Sequence, residues 1–192
     1  MNTILHSRPF VLTASLLLAT ALHAAAPTLI DDFANPAHTA NGAGRMLFTD
    51  KDAGSQSSAT QRCENGVLIV QGELKPGRGA PAFISIPLLL APDAKPADAS
   101  AFTGVRLKVK LVQGSLSVQV ASADVDNFDY HAAPVVAPRG QFTEVRVPFA
   151  AMKRAWSAQT PLSTKLVTSV NFVAFGMAPG AFAFEVDEIG FY

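Results

Sequence analysis

The chain has 192 residues, with 15 basic and 15 acidic side chains, a formal net charge of zero and a hydrophobic content of 49%. That balance gives no electrostatic ground for binding nucleic acid or an anionic membrane. The single cysteine, Cys63, excludes an internal disulfide, and 13 phenylalanines against two tyrosines and one tryptophan point to aromatics packed into a core.

Residues 1–24 read as a secretory signal peptide. Arg8 supplies a positive charge, Pro9 to Leu22 is apolar, and Ala24-Ala25-Ala26 offers small residues for cleavage, while Pro27 disfavours a later cut. The apolar run is shorter than the roughly 20 residues that cross a bilayer, and no other stretch is long enough, so no membrane span is expected. Cys63 lies too far downstream for a lipoprotein anchor and reads as a small packed hydrophobe. The expected mature protein, residues 25–192, is periplasmic or secreted and has the size of one domain.

After a disordered stub at Ala25 to Pro27, Thr28 to Phe33 reads as the opening strand, broken by Asn35-Pro36. A loop from Ala37 to Ala43 leads to a short strand at Gly44 to Thr49 and a tight turn at Asp50 to Ser55. Ser57 to Cys63 and Val67 to Leu74 form a hairpin across Glu64-Asn65-Gly66, since Asn-Gly supplies the left-handed residues of a two-residue turn. Ala82 to Leu90 is a strand with Ile84, Ile86, Leu88 and Leu90 on one face, and Pro87 makes it an edge or bulged strand.

Ala91 to Ser100 reads as an exposed connection. Val105, Leu107, Val109 and Leu111 then alternate with Arg106, Lys108 and Lys110, the pattern of a strand with one wet face. Leu116, Val118 and Val120 alternate with Ser117 and Gln119, and a hairpin through Val112-Gln113-Gly114 is the simplest connection. Asp124 to Asp129 is a polar turn, and Gln141 to Phe149 alternates again with Val145, Val147 and Phe149 inward. Only Ala150 to Ala155 has a helical composition. Leu166 to Met177 is a strand with apolar residues on both faces, turned by Pro179-Gly180 into the last strand. There Phe182, Phe184 and Val186 share one face, but after Asp187 and Glu188 the apolar positions move to Ile189 and Phe191, a phase slip of the kind a β-bulge makes. This strand should tie the C-terminus into a sheet, with Thr28 to Phe33 as its partner. About ten short strands at regular spacing predict an all-β fold, an antiparallel β-sandwich or barrel.

Four stretches carry a family resemblance: Leu29-Ile30-Asp31-Asp32-Phe33; the acidic turn Thr49 to Ser58; Tyr130 with Phe142 to Phe149, which ends in Val-Pro-Phe; and Phe184-Glu185-Val186-Asp187-Glu188-Ile189. In this order they resemble the family named for a thirty-kilodalton complex I intermediate-associated protein. The resemblance implies a galactose-binding-like jelly roll, similar to cellulase-associated carbohydrate-binding modules. Three departures stand out: Ser55 where the family has a second glycine, Phe48 two positions ahead of Asp50 where the family has an aromatic before the turn's first Asp, and Phe142 where the family has tryptophan.

Such a fold would bring together acids from three segments: Asp31 and Asp32, Asp50 and Asp52, and Asp187 and Glu188. Asp32, Asp50, Asp52 and Asp187 are the candidate ligands for a structural Ca²⁺, which takes six to eight oxygens; the alternative is ordinary turn and bulge acids. No catalytic motif is present, so no catalytic residue is assigned. Of the mature chain's histidines, His38 and His131 read as surface or loop residues. Asp129 with Glu144 is the carboxylate pair a glycosidase would need. A non-catalytic binding face has more support, with Arg106, Gln119, Asp129, Tyr130, Arg146 and Trp156 as ligand-binding candidates beside Lys108. They offer donors, acceptors and rings for a carbohydrate, or a surface for a protein partner, as the assembly-factor side of the resemblance implies. The same side chains would equally form a solvated face of cross-strand ion pairs, and Trp156 is either a platform ring or a plug over the sandwich end.

Protein recovered from an expressing bacterium should have a mature N-terminus near Ala25 by intact-mass analysis; an uncleaved cytosolic chain would overturn the export expectation.

Overall fold

The computed structural model describes residues 23–192; the expected signal peptide therefore lies, but for its last two residues, outside the described part. The strands in chain order are β1 (Ala24–Ala25), β2 (Leu29–Asp31), β3 (Phe48–Thr49), β4 (Ser58–Glu64), β5 (Val67–Leu74), β6 (Ala82–Leu89) and β7 (Ala97–Asp98). They continue as β8 (Gly104–Gln113), β9 (Ser117–Ser122), β10 (His131–Pro134), β11 (Thr143–Pro148), β12 (Lys153–Arg154), β13 (Val167–Gly176) and β14 (Gly180–Phe191). Two sheets form a sandwich, and no α-helix occurs among the described residues.

The six-stranded sheet runs β11-β8-β14-β5-β4, with β2 also on β14. In the eight-stranded sheet β13 is central, flanked by β6 and β9; β3 lies beyond β6, β10 and β12 beyond β9, and β7 and β1 join at the start of β13. Each sheet turns one face inward because side chains alternate along a strand. Phe172 of the eight-stranded sheet packs on Phe184 of the other at 6.1 Å between ring centres, and Phe33 and Phe182 extend the cluster.

The expected phase slip in the last strand is present. The register of β14 against β8 shifts between Val186 and Glu188, so Phe182, Phe184 and Val186 lie buried before it and Ile189 and Phe191 after it. The bulge leaves Asp187 and Glu188 facing outward together, where they pair with Lys108 and Arg106. The expected partner strand is also there, since Asp31 and Leu29 of β2 lie opposite Ile189 and Gly190. A β-carbon at Gly190 would sit 2.4 Å from the Thr28 carbonyl oxygen, so only glycine permits this approach. The Asn65-Gly66 hairpin forms as read, with both residues at positive φ. Pro87 lies beyond the β3 ladder, which ends at Ser85, so the side of β6 away from β13 is an edge there.

Five sequence expectations are corrected. Strands β8 and β9 are not a hairpin: β8 pairs with β11 and β14, and β9 with β13 and β10, so the turn at Gly114 is an arch between sheets. Gly114, at φ +76°, lets the chain pass Phe182, whose Cβ would be 2.8 Å from an added methyl. Alternation reveals an inward face but not which sheet supplies the neighbours. Residues Ala150 to Ala155 are a short 3-10 turn followed by β12, because Arg154 is drawn to Asp129 and the backbone pairs with β10. The Ala25 to Pro27 stub is ordered by pairing with β7, the Ala26 amide donating to the Asp98 carbonyl at 2.8 Å. The Ala91 to Ser100 connection contains β7 and buries Ala97 and Ala99. Of Gly44 to Thr49, only Phe48–Thr49 is strand.

Replacing Phe184 with alanine removes a ring packed on both Phe172 and Phe182 and should lower stability by about 3–5 kcal/mol, measured by urea denaturation.

Candidate functional site

The outer faces of the two sheets differ in kind. Strands β6, β9, β10 and β13 contain no Asp, Glu, Lys or Arg. Charge is gathered on the six-stranded sheet, where Lys110 meets Glu185 at 2.8 Å, Lys108 meets Asp187, Arg106 meets Glu188, and Arg146 meets Glu144 at 3.1 Å. Arg106 and Arg146 are direct cross-strand neighbours on that sheet. They therefore do not join Gln119, Asp129, Tyr130 and Trp156, which belong to the eight-stranded sheet and its loops. The two arginines and Lys108 form the solvated ion-pair face.

The other four candidates are assembled by one carboxylate. Asp129 is buried between the loop that enters β10 and the loop that leaves β12. Its Oδ1 accepts the amides of Tyr130 at 2.8 Å and Ala155 at 3.0 Å; its Oδ2 accepts Arg154 Nε at 2.8 Å and the Ser157 amide at 3.0 Å. Burial opposes ionisation, but the Arg154 guanidinium and these hydrogen bonds outweigh it, and the carboxyl is held well below its ordinary range. Further bonds close the same corner: Asn127 Nδ2 donates to Ser157 Oγ at 2.9 Å, and the Gln159 amide both accepts from and donates to the Arg154 backbone at 3.0 Å.

This clamp sets Tyr130 against Trp156 edge to face, with centroids 5.3 Å apart and planes at 83°. Trp156 is 61% exposed, so it is a displayed ring and not a plug. Burial, first, and the Asp129 charge raise the Tyr130 hydroxyl pKa against an opposing hydrogen bond with Gln119, so at neutral pH it is a donor and acceptor. Gln119 faces outward between the inward Val118 and Val120, yet is only 7% exposed. Ser169 and Val173, also on outward positions, are as buried, and Val173 takes no part in the core cluster. Three outward positions in the middle of this face are therefore covered from solvent. Phe128, in the same loop as Asp129, is 93% exposed and sits at φ +60°, where a non-glycine residue is uncommon. Of two depressions, of about 410 and 460 Å³, one lies between Gln71 and Gln113 on the charged sheet and the other beside the clamp, bounded by Met152, Lys153, Gln159 and Pro161.

The four candidate metal ligands are not brought together. Asp50 is buried and accepts from the Ser57 amide at 3.0 Å, Ser57 Oγ at 2.6 Å and the Phe83 amide at 2.9 Å. That node lies at the Ser58 end of the β4–β5 hairpin, whereas Asp32 lies by its turn, beside Gly66 and about 20 Å away along β4. Asp32 accepts the Ala34 amide, Asp187 is paired to Lys108, and Asp52 is exposed in a 3-10 turn. Among the described residues no three His, Cys, Asp or Glu side chains form a group that holds a metal. Asp31 is buried on Arg45 at 2.5 Å, and its pKa is raised because burial outweighs the guanidinium and the Phe33 amide.

The carboxylate pair is likewise split, with Asp129 on the eight-stranded sheet's loops and Glu144 exposed on β11. A general acid needs a raised pKa, and that of Asp129 is depressed. His131 is not a surface residue. It points inward from β10, its Nε2 donating to the Thr160 carbonyl at 2.8 Å and its Nδ1 unpartnered. Sequence reasoning missed Arg154, hidden in a stretch of helical composition, and Asn171, which lies opposite Gln119. The signal for Asn171 was a strand apolar on both faces with a single amide in it.

The family 11 carbohydrate-binding module from Clostridium thermocellum, in complex with a β-1,3-1,4-mixed-linked tetrasaccharide, is similar with a TM-score of 0.60 at 16% identity, over 88% of this chain and 96% of that one. The same module of a cellulosomal cellulase from that organism gives 0.60 at 17%, over 88% and 95%. An agarase gives 0.54 at 8%, over 84% of this chain and 24% of that one. At such identities the likeness establishes the fold, a sandwich of the carbohydrate-binding-module kind. No curated protein matches the chain. The family model for Complex I intermediate-associated protein 30 (CIA30) matches residues 32–186, most of the chain and all four stretches that carry the resemblance but for the first residues of the first and the last three of the fourth, and the protein belongs to the CIA30 family.

Proposed function

We propose that this protein is an exported, non-catalytic carbohydrate-binding module that takes a glycan on the outer face of the eight-stranded sheet. The observation that carries the reading is the Tyr130–Trp156 pair, displayed by the Asp129 clamp at the border of a face whose strands β6, β9, β10 and β13 carry no charge. Aromatic faces stack on the apolar side of a sugar ring, and Gln119 and the Tyr130 hydroxyl offer donors and acceptors to its hydroxyl groups. The carbohydrate-binding-module fold supports the same reading, as does the absence of a raised carboxylate at the clamp. A periplasmic or secreted location is part of the proposal and rests on the signal-peptide reading of residues 1–24.

The second reading is a scaffold or chaperone acting on a protein partner outside the cytoplasm. The observation in its favour is apolar exposure: Phe48 and Phe175 lie on the far end of the same face, and Phe128 projects beside the aromatic pair. A hydrolase with an acid pair has no such support.

Trp156→Ala should weaken glycan binding by about tenfold or more, a loss of ~1.4 kcal/mol, while thermal stability stays near that of the parent, since the ring is exposed. Affinity electrophoresis in polysaccharide gels reads the first and a melting curve the second. A Trp156→Ala protein that binds glycan as well as its parent but no longer retains a protein partner would favour the scaffold.

Binding should also be flat with pH from about 5 to about 8. A depressed carboxylate contributes stability that is present above its unfolded value of 3.8 and is lost only as pH falls through the lower folded value, so the Asp129 clamp stays assembled across that window. Binding titrations across that window check this, and a midpoint inside it would assign control to a different group.

A further inference from the structure

The outward positions of the eight-stranded sheet form registered rows across the strands. One row runs Pro87 on β6, Asn171 on β13, Gln119 on β9 and Ala132 on β10, with Lys153 on β12 at its end. It crosses four strand spacings, about 19 Å, and ends beside the loop that carries Trp156. The carboxamide of Asn171 is the anomaly in it. Its Oδ1 is buried and has no hydrogen-bond partner, an arrangement that costs free energy unless a donor is supplied from outside. Pro87, its neighbour on one side, has no N–H to give. Gln119, Ser169 and Val173, outward positions of the same face with little exposure, lie alongside.

We propose that Asn171 and Gln119 form a hydroxyl-binding subsite, and that the ligand is an uncharged glycan chain lying across the strands from Trp156 towards Pro87. The proposal rests on the glycan reading above. Its chemical class follows from the face. Sulfate and carboxylate oxygens only accept, and would meet an orphan acceptor with no cation on β6, β9, β10 or β13; a cationic sugar would find no anion there. A hydroxyl group donates to Asn171 and accepts from Gln119. Lys153, at the rim beyond Ala132, is outside the subsite.

The test compares soluble neutral polysaccharides (mixed-linkage β-glucan, xylan, galactan and agarose oligosaccharides) with a polyuronate and a sulfated galactan by titration against the mature protein. The variants are Asn171→Ala, Asn171→Leu, Lys153→Gln and Trp156→Ala, each with a melting curve. At least one neutral chain should bind at least tenfold more tightly than either anionic one. Both Asn171 substitutions should weaken it about tenfold, and Lys153→Gln should leave it unchanged. An anionic chain that binds as tightly or more tightly and depends on Lys153 would overturn the assignment of class while the glycan reading stands. Neutral binding lost in Trp156→Ala but unaltered in both folded Asn171 variants would remove the subsite alone. No binding of any glycan by the parent protein would end both readings.

Discussion

The structure depends on one constraint, the burial of an inner face of each sheet against the other. The long strands give alternate side chains to that shared core, and the phenylalanine cluster of Phe33, Phe172, Phe182 and Phe184 joins the two layers. The remaining positions are free of the core and decide what each outer face can do. On the six-stranded sheet they are charged and paired, for the most part across strands, and ion pairs of this exposure contribute little to stability but keep the face hydrated. On strands β6, β9, β10 and β13 of the eight-stranded sheet they are uncharged, so that part of the face suits ligands without formal charge.

Buried carboxylates do the same work at three places in this chain. Asp31 holds Arg45 and the loop after β2, Asp50 joins the turn after β3 to β4 and β6, and Asp129 clamps the loops at β10 and β12. Each is engaged by donors from its own surroundings, so none is left as an open metal ligand or as a proton donor. Loops rich in acids look alike in sequence whether the acid organises backbone amides or a cation, because both uses require a carboxylate near a turn. Here the amides are close enough to claim it.

The aromatic pair shows how the fold turns loop chemistry into a site. Tyr130 and Trp156 come from segments joined by β10 and β12, a strand pair of only two residues each way. So short a ladder does not define a loop by itself. The four hydrogen bonds to Asp129 supply the missing constraint, with the Arg154 charge among them, and they present Trp156 to solvent on a fixed base.

By itself the sequence determined the all-β class, most strand positions, the Asn65-Gly66 hairpin, the bulge at Asp187 and Glu188, and the pairing of the first and last long-range partners, because period-two hydrophobicity and turn chemistry are local properties. The family resemblance rested on the same local stretches. Only the tertiary structure decided that β8 and β9 lie in different sheets, and with that it separated Arg106 and Arg146 from Gln119, Tyr130 and Trp156. It also decided that Asp32, Asp50, Asp52 and Asp187 stay apart, that His131 is buried, and that Ala150 to Ala155 yields a strand whose Arg154 meets Asp129. These outcomes turn on which strands become neighbours across gaps of many residues. Alternation within a strand records which side is inward and carries no information about which sheet lies beside it.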